Sequence, residues 1–341
     1  MEAQIIFSLG KIEEKSKILA KVAKQYQVNV LVAVKAANHI LGKIQGYLQG
    51  FDVSNSREFA LTDGKGFYFI TNCPLDDLDF VKLLQNNHYL ISCNSIYYFQ
   101  EISKKNLPFV LRLQSTDLLG NAQTPGSRFG LTKNQVLGLK EQLQKNCNFS
   151  GFHFHHGSEK NSIVTYQAAI TAIKELLREL GIKKELNINL GGGFAGLTIT
   201  EIEVILNHAR QELSEHKVYI EPGRYFTEGT GSCFCQVIDM QEEKDNLIIN
   251  LNVSRECHLK WSRIGKIQIL AASKSSYKRS SRRMIFYGNT CYENDIIGIS
   301  HFEKDSEIGI GDTVVLSNIS GYSLAWNTPF NGIPKINFEL K

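Results

Sequence analysis

The sequence predicts an α/β protein built as a (β/α)8 barrel and followed by a second, mainly β domain. Three observations carry this. Between residues 13 and 225, about eight short β-rich runs alternate with polar amphipathic stretches of helical length. After Tyr225 the helical periodicity fades and strand-like runs follow one another. The chain is long and apolar enough for such a partition, with 341 residues of which 43% are hydrophobic and 21% charged.

The β-rich runs are 29–34 (NVLVAV), 50–53 (GFDV), 67–71 (FYFIT), 89–92 (YLIS), 109–113 (FVLRL), 151–155 (GFHFH), 186–190 (LNINL) and 217–220 (KVYI). The segments 76–86 (DDLDFVKLLQN), 132–145 and 166–180 read as helices, the last with apolar residues three and four apart. An uninterrupted series of βα units favours the closed barrel. A doubly wound open sheet is the competing arrangement of the same pattern. Further on, SCFCQVIDM, NLIINLNV, RMIFYG and DTVVLSN read as strands, and GIGDTV as a hairpin-like turn. The barrel is therefore expected over 13–225, and the β domain over 226–341 together with about residues 1–12. The basic segment 273–283 (SKSSYKRSSRR) reads as a solvated loop, with anion binding as the alternative.

Composition excludes several classes. A net charge of +4 gives no reason to expect nucleic acid as the partner. Six Pro and 27 Gly do not fit a collagen-like or low-complexity chain, and the apolar content does not fit disorder. The first residues, MEAQIIFSLGKIEEKSKIL, lack the layout of a secretory signal, and no apolar run approaches the length of a membrane span. Seven scattered cysteines without a CxxC pair read as reduced thiols, which implies a cytoplasmic protein.

In a (β/α)8 barrel the chemistry gathers at the C-terminal ends of the strands. Those ends carry Lys35, Asp52, Asn72, Cys93, Arg112, His155, Gly191, Gly192, Gly193, Glu221 and Arg224. Lys35 leaves a buried strand, and desolvation of its amine would make it a nucleophile toward aldehydes. INLGGGFAG offers backbone N–H groups unshielded by side chains, suited to a phosphate, and EPGR adds a carboxylate and a guanidinium to the same corner. An aldehyde-seeking lysine, a phosphate cradle and a carboxylate able to hold a pyridinium nitrogen protonated describe a pyridoxal phosphate site.

The chain resembles the fold-type III pyridoxal-phosphate decarboxylases, the family of diaminopimelate and ornithine decarboxylases. The resemblance runs through VAVKAANH, GFDVSNSREFA, SRFG, GFHFHHGSE, NLGGGFAG, EPGRYF, YGNTCYENDIIG, GDTVV and SGYSLAWNTPFNG. It implies an alanine-racemase-like barrel with a C-terminal β domain. Lys35 then resembles the Schiff-base lysine and His155 the histidine stacked on the cofactor ring. Ser158, Gly191, Gly192, Gly193, Gly223 and Arg224 match cofactor-binding positions, and Tyr322 the tyrosine that reaches the phosphate. Glu221 matches the partner of the pyridine nitrogen, while Asp52, Glu58 and Arg112 match positions around the cofactor. Cys291 matches a cysteine that works in the neighbouring subunit, which implies a homodimer with shared active sites and Cys291 as proton donor.

The expected reaction is decarboxylation of an amino acid or of the amino-acid moiety of a larger metabolite. A racemase of the same fold and a non-catalytic regulatory homologue are the rivals. Glu221 argues against the first, and retention of the catalytic set against the second. The residue after Cys291, where diamine decarboxylases carry an acid, is Tyr292; Glu293 and Asp295 follow as further candidate substrate contacts. Asn289 stands where relatives have a proline, and HLKWSRIG is similar to a stretch in decarboxylases of siderophore and other specialised pathways. His153 and His155 share a strand face, but no carboxylate or cysteine nearby in sequence completes a ligand set, so no metal is expected. Cys233 and Cys235 read as small packing residues.

Overall fold

Eight parallel strands close on themselves in chain order in the computed structural model, which describes residues 1–84, 88–120, 127–157, 162–270, 283–301 and 308–341. The chain divides into two compact units, Glu14–Phe226 and Met1–Glu13 with Thr227–Lys341. A short strand, β1 (Gln4–Phe7), belongs to the second unit.

The barrel strands are β2 (Val28–Ala33), β3 (Gly50–Val53), β4 (Phe67–Thr71), β5 (Tyr89–Cys93), β6 (Phe109–Leu113), β7 (Phe149–Phe154), β8 (Asn187–Asn189) and β9 (Lys217–Ile220). β9 pairs with β2 through Val28 opposite Val218, and this closing pair excludes the open sheet. Leu31, Phe69, Leu90, Val110 and Tyr219 meet as one buried cluster, each from a different strand. Every fully buried side chain of this size contributes roughly 1.5–3 kcal/mol. Gly50 and Gly151 permit close strand pairing, since a Cβ on either would lie 1.9 Å from a carbonyl oxygen of the neighbouring strand.

The connecting helices show where local chemistry overrode simple periodicity. Ile163–Leu180 is capped by Ser162 and stopped by Gly181 in the left-handed conformation. Segment 132–145 breaks into Lys133–Gly138 and Lys140–Lys145, joined at the non-helical Leu139, although Thr132 and Gln135 form a full capping box. The expected helix 76–86 is a 3-10 helix over Leu75–Leu83. Leu75, Leu78 and Val81 recur every third residue, which suits three residues per turn better than 3.6. Residue 86 lies outside the described residues.

In the second unit the strands are β10 (Gly231–Glu243), β11 (Asn246–Leu251), β12 (Ile267–Leu270), β13 (Arg283–Tyr287), β14 (Ile296–His301), β15 (Thr313–Ile319) and β16 (Asn337–Leu340). Their order is β12-β15-β10-β11-β13-β14, with β1 pairing both β10 and β16. Cys233 and Cys235 are fully buried on alternating positions of β10, consistent with packing. The turn before β15 uses Gly311 at φ +89°, with Asp312 accepting from Gly309 N. The basic segment falls outside the described residues except for Arg283, the first residue of β13. No helix among the described residues is long and apolar enough to cross a membrane.

Candidate active site

The barrel's C-terminal mouth concentrates charged groups that a core normally excludes. Lys35 lies in the short helix that follows β2, and its Nζ is 3.3 Å from Asp52 Oδ2 at the end of β3. Asp52 is 1% exposed, and Thr71 at the end of β4 donates to its other oxygen at 2.6 Å. Burial, then the nearby Glu221, pushes the Asp52 carboxyl up; Lys35 and Thr71 pull it down. The Lys35 side chain keeps 38% exposure, so an ion pair at a half-open mouth, and not apolar isolation, describes its surroundings. Glu58 accepts from Ser54 N at 2.8 Å and so braces the loop after β3.

Glu221, just past β9, is the second buried carboxylate. Asn189 on β8 donates to its Oε1 at 2.6 Å and accepts from Gly191 N at 2.8 Å, tying the carboxylate to the glycine loop. Its Oε2 faces His153 Nε2 at 3.6 Å and His155 Nδ1 at 3.9 Å. Burial pushes Glu221 up, opposed by Lys35, Asn189 and Arg112. Both imidazoles are held well below the usual histidine range, first by burial and then by the positive Arg112. His155 Nδ1 accepts from Gly192 N at 3.0 Å, which fixes the ring's orientation. Arg112 on β6 donates to Asn72 Oδ1 at 3.1 Å and lies 4.7 Å above the Phe129 ring. Asn94 donates to the same Asn72 oxygen at 2.7 Å, and Asn72 adopts φ +56°.

The glycine loop is built for close approach. A Cβ on Gly191 (φ +69°) would lie 2.4 Å from Phe154 O, one on Gly192 2.7 Å from Glu221 O, and one on Gly223 2.9 Å from Ala36 Cβ. Tyr166 anchors the loop from behind, donating to Gly192 O at 2.6 Å. Gly193 follows at φ +99°, and Arg224 is buried beside Gly223. Ser158 lies outside the described residues.

Sequence proximity misjudged one cluster. His153, His155 and Glu221 place their ligand atoms within 4.8 Å of one another, so a carboxylate does join the histidine pair. Glu221 is distant in sequence, and only closure of the barrel brings β9 round to β7. Asn189, Ser92, Thr71 and Tyr166 also escaped the sequence reading. For Asn189, Ser92 and Thr71 the signal was a polar residue inside a buried strand, which such a strand keeps only with a partner, whereas Tyr166 lies in the helix Ile163–Leu180 and carried no such signal.

The family model for pyridoxal-dependent decarboxylase, pyridoxal binding domain, matches residues 9–228. The chain belongs to the pyridoxal-dependent decarboxylases. Among its relatives is a carboxynorspermidine/carboxyspermidine decarboxylase of Campylobacter jejuni, 24% identical, with 98% of this chain and 91% of the relative covered. A crystal structure of carboxynorspermidine decarboxylase complexed with norspermidine from Campylobacter jejuni superposes with a TM-score of 0.77 at 22% identity, covering 100% of this chain and 94% of that one. The arginine decarboxylase of Paramecium bursaria Chlorella virus gives 0.81 at 20% identity, covering 100% and 97%.

Pyridoxal phosphate is the cofactor of this family, and the barrel mouth fits it. The glycines stand where any side chain would collide with backbone or a neighbouring residue, and buried Arg224 supplies a cation beside them. A buried carboxylate held by Asn189 suits a protonated ring nitrogen, and Lys35 supplies an amine near it.

The family motifs of the second unit have their own arrangement. Cys291 is exposed, and its Sγ donates to Asn331 Oδ1 at 2.7 Å; Asn331 itself adopts φ +64°. Tyr292 and Glu293 are exposed beside it. Asp295 has a different place from the expected substrate contact. It is 1% exposed and accepts from Thr290 Oγ1 at 2.6 Å, Thr290 N at 3.3 Å, Arg255 N at 2.7 Å and Glu256 N at 3.3 Å. Oδ2 is consumed in shaping the Cys291 loop and Oδ1 in tying the backbone of Arg255 and Glu256 to it. Tyr322 opens the short helix Tyr322–Ala325 and is partly buried.

Proposed function

We propose that this decarboxylase releases CO2 from the amino-acid moiety of a larger metabolite, using Lys35, His155 and Glu221 at the barrel mouth and Cys291 as proton donor. The observation that carries the reading is one constellation at the barrel mouth: Lys35 on buried Asp52 at 3.3 Å, and buried Glu221 on Asn189 at 2.6 Å, beside a glycine loop that tolerates no side chain. Bound there, pyridoxal phosphate supplies a sink for the electron pair left when CO2 departs.

The protein's residues divide the remaining work. Lys35 Nζ, steadied by Asp52, is the amine offered to a carbonyl. Gly191, Gly192, Gly193, Gly223 and Arg224 hold the phosphate, with Ser158 and Tyr322 completing that set by family resemblance. Glu221 keeps a proton on the ring nitrogen, and the neutral His155 imidazole, oriented by Gly192 N–H, presents a flat face to the ring. Cys291 Sγ, whose S–H is directed by Asn331, returns a proton to the carbon that lost CO2.

Substrate size follows from what stands beside Cys291. Tyr292 occupies the position where a compact diamine substrate would meet an acid, and Asp295 is spent inside its loop. A substrate longer than ornithine or lysine is therefore favoured, and the Campylobacter jejuni relative supports a carboxylated polyamine as the first class to test. The working unit is a homodimer, with Cys291 and Tyr322 supplied by the partner subunit.

Borohydride reduction of the loaded protein, followed by peptide mapping, tests the assignment. A phosphopyridoxyl group is expected on Lys35. Labelling at another lysine, or none, would refute it.

A further inference from the structure

The hydrogen-bond inventory around Glu221 fixes where protons sit. His153, on β7, is 1% exposed, and its Nδ1 lies 2.8 Å from Ser92 Oγ on β5. Its Nε2 makes no hydrogen bond and faces Glu221 Oε2 at 3.6 Å. Ser92 is 1% exposed, and among the described residues its hydroxyl has His153 as its side-chain partner.

Two tautomers are compatible with the 2.8 Å contact. If Nδ1 carried the proton, the buried Ser92 hydroxyl would have nothing to donate to, and the Nε2 lone pair would face a carboxylate oxygen. If Ser92 donates to Nδ1, its hydroxyl is satisfied and Nε2–H points at Oε2. The second arrangement leaves no buried donor facing away from an acceptor, so it prevails. A shift of about 0.5 Å brings Nε2 and Oε2 into the usual N–H···O range.

The consequence falls on Glu221. Asn189 already donates to Oε1, so each carboxylate oxygen has one assigned donor, from β8 and from β7. Burial favours the protonated acid, and a protonated Glu221 could not hold a second proton on a ring nitrogen. The charged groups acting on His153 are Arg112, Asp52 and Lys35, with Glu221 itself opposite, and burial keeps the imidazole neutral.

We propose that Ser92 locks His153 as its Nε2–H tautomer, and that His153 is thereby a positioning residue that holds the Glu221 carboxylate ionised and oriented for the pyridine nitrogen. This rests on the pyridoxal-phosphate reading of Glu221.

The first measurement uses full-length apoenzyme labelled with 15N-histidine, with the His153 signal identified by its loss in His153→Gln. Long-range 15N–1H correlation is expected to show Nε2–H in the wild type and in Ser92→Thr, and a loss of that single tautomer in Ser92→Ala. The second uses holoenzyme loaded with 15N-labelled pyridoxal phosphate. Ring-nitrogen protonation should fall in Ser92→Ala and His153→Phe, with kcat down about 10- to 100-fold, the effect of one hydrogen bond to a charged group. His153→Gln, whose amide N–H can still donate, should recover most of both. Should His153→Phe fail to fold, Ser92→Ala removes only one oxygen and carries the same test. Nδ1–H in the wild-type apoenzyme, or unchanged ring-nitrogen protonation in Ser92→Ala, overturns the proposal. The tautomer is read without cofactor, so its failure is distinguishable from a failure of the Lys35 labelling.

Discussion

Glu221→Gln keeps the shape of the side chain and removes one buried charge. Glu221 is 3% exposed, and Asn189 Nδ2 at 2.6 Å can donate to the amide oxygen as it does to the carboxylate. The amide N–H2 then faces the His153 and His155 side, where Oε2 stood. Burial raises the Glu221 carboxyl above its ordinary range, and Glu221 in turn raises Asp52, so the ionised form is held against desolvation and repulsion. A carboxyl whose folded pKa is raised stabilises the fold below its unfolded pKa and loses that contribution as pH rises through the folded value. The Gln variant has no such loss. Against this gain, its amide N–H2 would meet His153 Nε2–H donor to donor, so its apoenzyme should lie within about 2 kcal/mol of the wild type, with its relative stability growing as pH rises. Turnover should move the other way. Removing one preorganised electrostatic group costs about 100- to 1,000-fold in kcat, or about 3–4 kcal/mol. The assays are CO2 release from a panel of amino acids and carboxylated polyamines, urea unfolding of the apoenzyme across pH, and cofactor dissociation. Unchanged kcat with collapsed cofactor affinity would make Glu221 an anchor and refute the assigned role.

Three further outcomes are expected. Asp295→Ala strands the donors of Thr290, Arg255 and Glu256, and should destabilise the fold by about 2–5 kcal/mol in urea unfolding while Lys35 still labels; a loss under about 0.5 kcal/mol would show that the loop does not depend on it. Burial pushes the His39 imidazole down to about 4, so its contribution is present above about pH 6.5 and is lost as pH falls toward 4; at most about 3 kcal/mol should disappear over that window, and His39→Gln should flatten it. Lys35→Ala and Cys291→Ala proteins, each inactive, should recover about a quarter of wild-type turnover on mixing, by counting mixed dimers with one intact site. No recovery despite subunit exchange seen by mass spectrometry would falsify the shared site.

Much of this protein is written locally. The β-rich runs of the barrel strands act over a few residues, so composition and spacing suffice to read them; the caps at Thr132 and Ser162 and the stop at Gly181 are equally local, yet the spacing of apolar residues alone passed over them. Lys35, Asp52, Arg112, His155, the glycine run and Glu221 were legible because a barrel exposes its strand ends at one mouth, whatever the details of packing. Non-local distances were not legible. A linear reading left a closed barrel and an open sheet both standing until Val28 met Val218. It set the histidine pair apart from Glu221, which only the closed barrel brings to 3.6 Å and 3.9 Å. It offered Asp295 to the substrate because a carboxylate beside Cys291 looks available, whereas burial and four donors commit it to the loop. Residue types and their order along strands are properties of the chain. Which buried polar atom answers which other one depends on strands that meet only when the barrel closes, and there the tertiary structure decided.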